Sequence, residues 1–139
     1  MANFSDSERQ EILALCKGLR TTDINDAMDH VGLQDVGMVS ADIRPLWRDV
    51  ETMAHRVYGF AHTVRFLPTN KRAKSMTPEE YAQFMGQWYR EICPGPFAKD
   101  IRAGDMIVIE GHETSTGFIG SNNAQSWINL GATGVVTNG

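Results

Sequence analysis

The chain has 139 residues, 42% of them hydrophobic, which is one ordinary domain with enough apolar side chains to build a core. A formal net charge of -4 with 22% charged residues excludes the basic footprint of a nucleic-acid binder, and the longest basic cluster, Lys71, Arg72 and Lys74, reads as a solvated loop. Two widely separated cysteines (Cys16 and Cys93), no apolar run of membrane-spanning length and a polar stretch over residues 1–9 point to a reduced, soluble, cytoplasmic protein with no membrane partner.

In chain order, a first helix is predicted over residues 7–17. Ser5 or Ser7 can cap it, Ile12, Leu13, Leu15 and Cys16 give it an apolar side, and Gly18 stops it. A second helix is predicted over 23–30, with Thr22 as N-cap and Asp23 in the first turn, where the helix dipole favours a negative charge. Ile24, Ala27, Met28 and Val31 fall at helical spacing in it, and Gly32 ends it. Residues 57–67 read as a strand on the weight of Val57, Tyr58, Phe60, Val64 and Phe66. Gly59 and Ala61 sit on the opposite parity, where small residues suggest a closely packed backbone.

Thr77-Pro78-Glu79-Glu80 is a strong helix start, combining an N-cap, a Pro at the first helical position and a capping-box Glu. Tyr81, Phe84, Met85 and Trp88 then form one apolar face, whose ordinary meaning is core or interface packing, and Cys93-Pro94-Gly95-Pro96 ends the helix. After an Ala103-Gly104-Asp105 turn, residues 106–110 are a strand apolar on both parities, as a strand covered on both faces should be. A Gly-led loop then enters a helix that reaches Leu130, with Gly131 as its C′ residue, and Val135-Val136-Thr137 is a last short strand before Asn138-Gly139. Loosely alternating helices and strands favour the α/β class.

The most site-like stretch is Gly120, Ser121, Asn122 and Asn123. A Gly-led loop entering a helix exposes backbone N–H groups at the positive end of the dipole, which suits a carboxylate. The competing reading is an ordinary N-cap made by Ser121 or Asn122. His112 and Glu113, in the polar loop before it, are candidates for an acid or base, with loop solvation as the alternative. His62, on a strand among apolar neighbours, reads as a satisfied core histidine, and no His, Cys and Asp cluster has zinc spacing.

Several segments together resemble one family. Thr22-Asp23-Ile24-Asn25-Asp26-Ala27 is similar to its early segment ending in Asp-Ala. Gly59-Phe60-Ala61-His62-Thr63-Val64 matches its Gly-x-Ala-x-Thr-Val strand, and Gly104-Asp105-Met106-Ile107-Val108-Ile109 its Gly-Asp-(apolar run) strand. Gly120, a helix with Ala124, then Gly131, Gly134-Val135-Val136 and Asn138-Gly139 follow the order of its Gly-x-x-Gly-Val-Val-x-(Asp/Asn)-Gly stretch. This pattern resembles the RraA-like family, which includes 4-hydroxy-4-methyl-2-oxoglutarate aldolases, oxaloacetate decarboxylases and the regulator of ribonuclease activity A. The resemblance covers most of the chain, with a stretch at about 66–102, longer than the family's, that looks like a subfamily insertion.

The resemblance implies a single α/β domain over residues 1–139, of the layered, swivelling β/β/α type and incomplete without a C-terminal portion. It implies a homo-oligomeric ring, trimer or hexamer, with sites between subunits, and Mg²⁺- or Mn²⁺-assisted breaking of a C–C bond in a small 2-oxo acid. The family's loop matching residues 120–123 holds the substrate carboxylate, although Ser121 and Asn122 stand where relatives often carry an acidic residue or a second Gly. Asp26 matches the family's early Asp, which could reach a neighbouring subunit's site; its alternative is a solvated helix-surface carboxylate. In the family an Arg-Asp pair follows the glycine matched by Gly139, and neither residue stands in this chain, so no metal ligand is expected within it.

That placement leads to the expectation of a companion C-terminal chain, with Asn138 and Gly139 as a processing site. If the next residue were Ser, Thr or Cys, cleavage would free an amine beside a nucleophile, giving an autoprocessed amide or lactam hydrolase that needs no cofactor. The leading expectation is the metal-dependent lyase, and a non-enzymatic binder like the ribonuclease regulator is the third.

Overall fold

The computed structural model describes residues 4–69, 74–91, 96–112 and 116–139. Lys71, Arg72, Cys93, Pro94, Gly95 and Glu113 lie outside the described residues. The elements are α1 (Asp6–Cys16), α2 (Thr21–His30), β1 (Phe60–Arg65), α3 (Pro78–Glu91), a short 3-10 helix (Pro96–Asp100), β2 (Asp105–Glu110), α4 (Ser121–Asn129) and β3 (Gly134–Thr137). They fall into two compact units, Met1–Phe60 and Ala61–Gly139.

In the first unit the helix ends are set by local hydrogen bonds. Ser5 caps α1 in a capping box: its hydroxyl accepts from the Glu8 N–H at 3.3 Å, and Glu8 Oε2 accepts from the Ser5 N–H at 2.7 Å. The predicted N-cap of α2 is Thr22, but the helix starts at Thr21 with Arg20 as the capping position. The physical reason is Asp23, whose carboxylate reaches back to accept from the Arg20 N–H at 2.7 Å and from its guanidinium at 2.6 Å. Gly32, with φ 82°, ends α2 as predicted, and the Leu33 N–H returns to the Met28 carbonyl at 2.9 Å. Arg9 is buried, its guanidinium 4.1 Å from the centre of the Phe60 ring. Beyond α2 the chain is held by turns such as the one at Asp49, whose carboxylate accepts from the Thr52 and Ala54 N–H groups and the Thr52 hydroxyl.

The second unit is a three-stranded sheet in the order β1-β2-β3. β2 and β3 are parallel, with Met106 beside Gly134 and Ile109 beside Thr137. Contacts between β1 and β2 advance in the same sense, from His62 near Asp105 to the Phe66 N–H on the Glu110 carbonyl at 2.9 Å, so all three strands run one way. The α/β class expected from the sequence is what forms.

Ile107 and Ile109 of β2 are buried with Ile101, Trp127 of α4 and Ala132, and Val64, Phe66, Phe97, Phe118 and Ile119 pack against them. Met106 and Val108, on the opposite parity, are half-buried, so one face of β2 is sealed and the other partly covered. β1 alternates half-buried Phe60, His62 and Val64 with exposed Ala61, Thr63 and Arg65. The close backbone packing expected over Ala61 is therefore absent among the described residues, because β1 has one open face.

α3 starts as predicted: the Glu80 carboxylate accepts from the Thr77 N–H at 2.9 Å and the Thr77 hydroxyl from the Glu80 N–H at 3.3 Å. Within its aromatic stripe Phe84 lies 5.6 Å from Trp88 and 6.5 Å from Tyr81, and no described α3 residue is buried. Among the described residues no helix is long and apolar enough to cross a membrane.

Candidate functional site

The parallel unit β2–α4–β3 sets which edge of the sheet the start of α4 shares. A helix joining two parallel strands begins at the edge where the first strand ends, so the start of α4 and the carboxyl ends of β2 and β3 share one edge. In open α/β sheets that edge is where ligands bind.

The start of α4 is open. Gly120 is the N-cap, with φ -106° and ψ 163°, and no side chain caps the helix. The first helical bond runs from the Ala124 N–H to the Gly120 carbonyl at 3.0 Å. The N–H groups of Ser121, Asn122 and Asn123 therefore have no partner within the helix. The competing reading, a cap made by Ser121 or Asn122, is not what forms: both follow the capping position, and their exposed side chains add hydroxyl and amide donors around the helix end. A β-carbon at Gly120 would meet nothing within 4 Å, so the approach to these groups is clear.

Beside this helix end, three strand ends meet. The Gly111 N–H, one residue past β2, donates to Asn138 Oδ1, one residue past β3, at 2.7 Å. The ring of Phe118 lies over Gly111 and Gly139 and stacks on Phe66, just beyond β1, with centroids 4.9 Å apart and planes 19° apart. Both glycines are needed for this arrangement, since a β-carbon would sit 2.2 Å from Phe118 Cε2 at position 111 and 2.6 Å at position 139. His112 follows Gly111, exposed and held at φ 52°, a left-handed conformation rare for a residue with a side chain.

The other site residues predicted from the sequence lie elsewhere. Asp26 belongs to the first unit, exposed on α2, where its carbonyl faces His30 Nδ1 at 2.7 Å. Glu113 is outside the described residues. Asn138 and Gly139, expected as a processing site, form part of the strand-end cluster. Sequence reading missed the Asn138–Gly111 bond and the seat of Phe118. The available signals were a glycine directly after the strand and an aromatic residue within an otherwise polar loop.

At the opposite, amino edge of the sheet His62 and Asp105 form a closed pair. Asp105 Oδ2 accepts from His62 Nδ1 at 3.1 Å and from the Arg102 N–H at 2.8 Å, with the two side chains 5% and 17% exposed for Asp105 and His62. The Asp105 carbonyl accepts from the Thr133 N–H at 2.8 Å and hydroxyl at 3.2 Å. His62 is thus a satisfied, largely buried histidine that joins β1 to β2.

What the fold and the site define is an α/β domain whose crossover helix opens toward the carboxyl edge of a parallel sheet, a place suited to a small anion. The chain belongs to the RraA-like family: the model described as Aldolase/RraA matches residues 21–139, from the first residue of α2 onward. No curated protein and no solved structure matches the chain. The family holds aldolase and decarboxylase enzymes as well as regulators.

Proposed function

We propose that this chain binds the carboxylate of a small 2-oxo acid at the start of α4, and that the protein breaks the C3–C4 bond of that acid, one carbon beyond the oxo carbon, as an aldolase or decarboxylase. The observation that carries the reading is the uncapped N-terminus of α4 at the carboxyl edge, in a chain of the Aldolase/RraA family. Backbone N–H groups at the positive end of a helix stabilise an anion by about 0.3–2 kcal/mol without any charged side chain. The carboxylate docked there leaves the oxo carbon and the bond to be broken over the strand ends. As the C3–C4 bond breaks, the C4 fragment leaves as CO2 or as a carbonyl compound, the electron pair stays on C3 and delocalises into the C2 oxo group as an enolate, and stabilising this charge is the main catalytic demand. His112, at the same edge, is the proposed proton donor to the enolate.

The family resemblance implies a divalent ion. Among the described residues no group of three or more His, Cys, Asp or Glu side chains could hold one. The described residues therefore do not fit a metal by themselves.

The test is pyruvate release from oxaloacetate by the natural protein, with whatever subunits accompany it, in added Mg²⁺ or Mn²⁺. Pyruvate formation supports the lyase reading. Binding of pyruvate without turnover of any 2-oxo acid would place the protein with the family's regulators, and absence of binding as well would remove the carboxylate site.

A further inference from the structure

The loop between β2 and α4 is held at both of its ends by the strand-end cluster. The paired register of β2 and β3 runs to Ile109 beside Thr137. Beyond it the ladder is continued by a side chain: Asn138 Oδ1 takes the N–H of Gly111, a buried residue, at 2.7 Å. This bond spans 27 residues of sequence and sets where the loop leaves the sheet. Near the loop's other end, Phe118 stands two residues before the Gly120 cap. Its ring occupies a slot floored by Gly111 and Gly139 and walled by Phe66. A shift of Gly111 therefore displaces Phe118, and with it the start of α4.

We propose that Asn138 is a positioning residue for the carboxylate-binding start of α4, acting through Gly111 and Phe118. This rests on the reading of α4 as the carboxylate site. Asn138 touches no reacting atom in this account. Its amide oxygen holds Gly111 and, through Phe118, the start of α4, so that the Ser121, Asn122 and Asn123 N–H groups keep their place beside the strand ends.

The experiment compares Asn138→Leu, which removes the acceptor at similar size, with Asn138→Asp, which keeps an acceptor oxygen. Three readouts are taken on the natural protein: hydrogen exchange of the Gly111 amide, amide chemical shifts of residues 121–123 on titration with pyruvate, and kcat and KM for oxaloacetate. N138L is expected to speed Gly111 exchange and to raise the pyruvate Kd and the KM by about tenfold or more with kcat changed little, as when binding groups common to substrate and transition state are displaced. N138D is expected to stay within a few-fold of the parent. A purely structural role predicts a lower kcat, in proportion to the folded fraction, at unchanged KM, and that pattern overturns the proposal.

Wild-type protein that binds no pyruvate removes the carboxylate site and this role with it. Wild-type binding that N138L leaves intact removes this role alone. Should N138L not fold, Phe118→Leu, which leaves the Asn138–Gly111 bond in place and part of the slot empty, must raise the pyruvate Kd by a similar factor, and an unchanged Kd counts against the proposal.

Discussion

Replacing Gly111 with Ala tests the packing of the carboxyl edge most directly. The added β-carbon falls 2.2 Å from Cε2 and 2.8 Å from Cζ of Phe118, and 3.1 Å from Asn138 Oδ1. Carbon atoms rest at about 3.5–4.0 Å, so the ring must retreat by more than an ångström. It cannot do so freely, because it is stacked on Phe66 and packed against the core. Overpacking of this kind costs about 1–3 kcal/mol. For a chain of this size the fall in Tm is about 3–12 °C.

Thermal unfolding followed by near-UV circular dichroism measures it, alone and in a Phe118→Leu background. With the ring removed, Gly111→Ala should cost less by on the order of 1 kcal/mol, the coupling expected of residues in contact. Where space and φ allow, Gly→Ala stabilises a protein by about 0.4–1 kcal/mol through the unfolded chain. A Gly111→Ala protein that melts higher, or one equally destabilised in both backgrounds, refutes the steric argument.

Trp127, 6% exposed and 5.4 Å from the Phe97 ring, joins α4 to the core; Trp127→Ala should cost about 3–5 kcal/mol by denaturant unfolding. Gly131→Ala combines a backbone at φ 97° with a β-carbon 2.8 Å from Ala103 Cα, and about 1–3 kcal/mol of destabilisation is expected, read in the same way. Gly120→Ala meets nothing within 4 Å and keeps an ordinary φ, so its Tm should match the parent while pyruvate affinity falls if the acid packs against that backbone. Hydrogen bonds from Arg20 hold the Asp23 carboxyl at about 2, below the usual 3.8. A depressed carboxylate pKa stabilises the fold above its unfolded value and loses that contribution as pH falls through the folded one. The cap of α2 should therefore loosen as pH falls from the usual 3.8 toward about 2, and a titration of the Asp23 carboxyl with its midpoint near 4 by NMR would contradict the capping geometry.

Helix ends were the most legible features because their causes are local. Gly18, Gly32 and Gly131 all stop helices at positive φ, and the Thr77–Glu80 box starts α3 where the spacing predicts. The start of α2 moved because a carboxylate three residues on outcompeted a hydroxyl for the capping role, a choice that composition does not settle. The open helix end at residues 120–123 was visible as a glycine before polar residues, but its freedom from a side-chain cap was not. The Asn138–Gly111 bond was illegible for a different reason: it joins residues 27 apart, and from the chain alone an Asn-Gly pair reads as a turn. The stripe on α3 announced an apolar face without saying what it meets, because helical spacing specifies a surface and not its partner.

The sheet carries polar groups at both edges, in different states of completion. At the amino edge the His62–Asp105 pair is enclosed by Phe97, the Arg102 backbone and Thr133, and the two groups satisfy each other. A buried carboxylate already bonded to a histidine and a backbone N–H has little capacity left for a ligand, and removing either partner would leave a costly unpaired group. That edge is cement between β1, β2 and the turn into β3. At the carboxyl edge side-chain bonding goes into holding the scaffold, through Asn138 and Phe118, while the helix end that the scaffold presents stays uncapped and exposed. A packed support beneath donors that lack a helix partner is the arrangement on which the proposed anion site rests. The donors of the proposed carboxylate site are backbone groups, which remain with Ser121 and Asn122 standing in place of the residues common in the family.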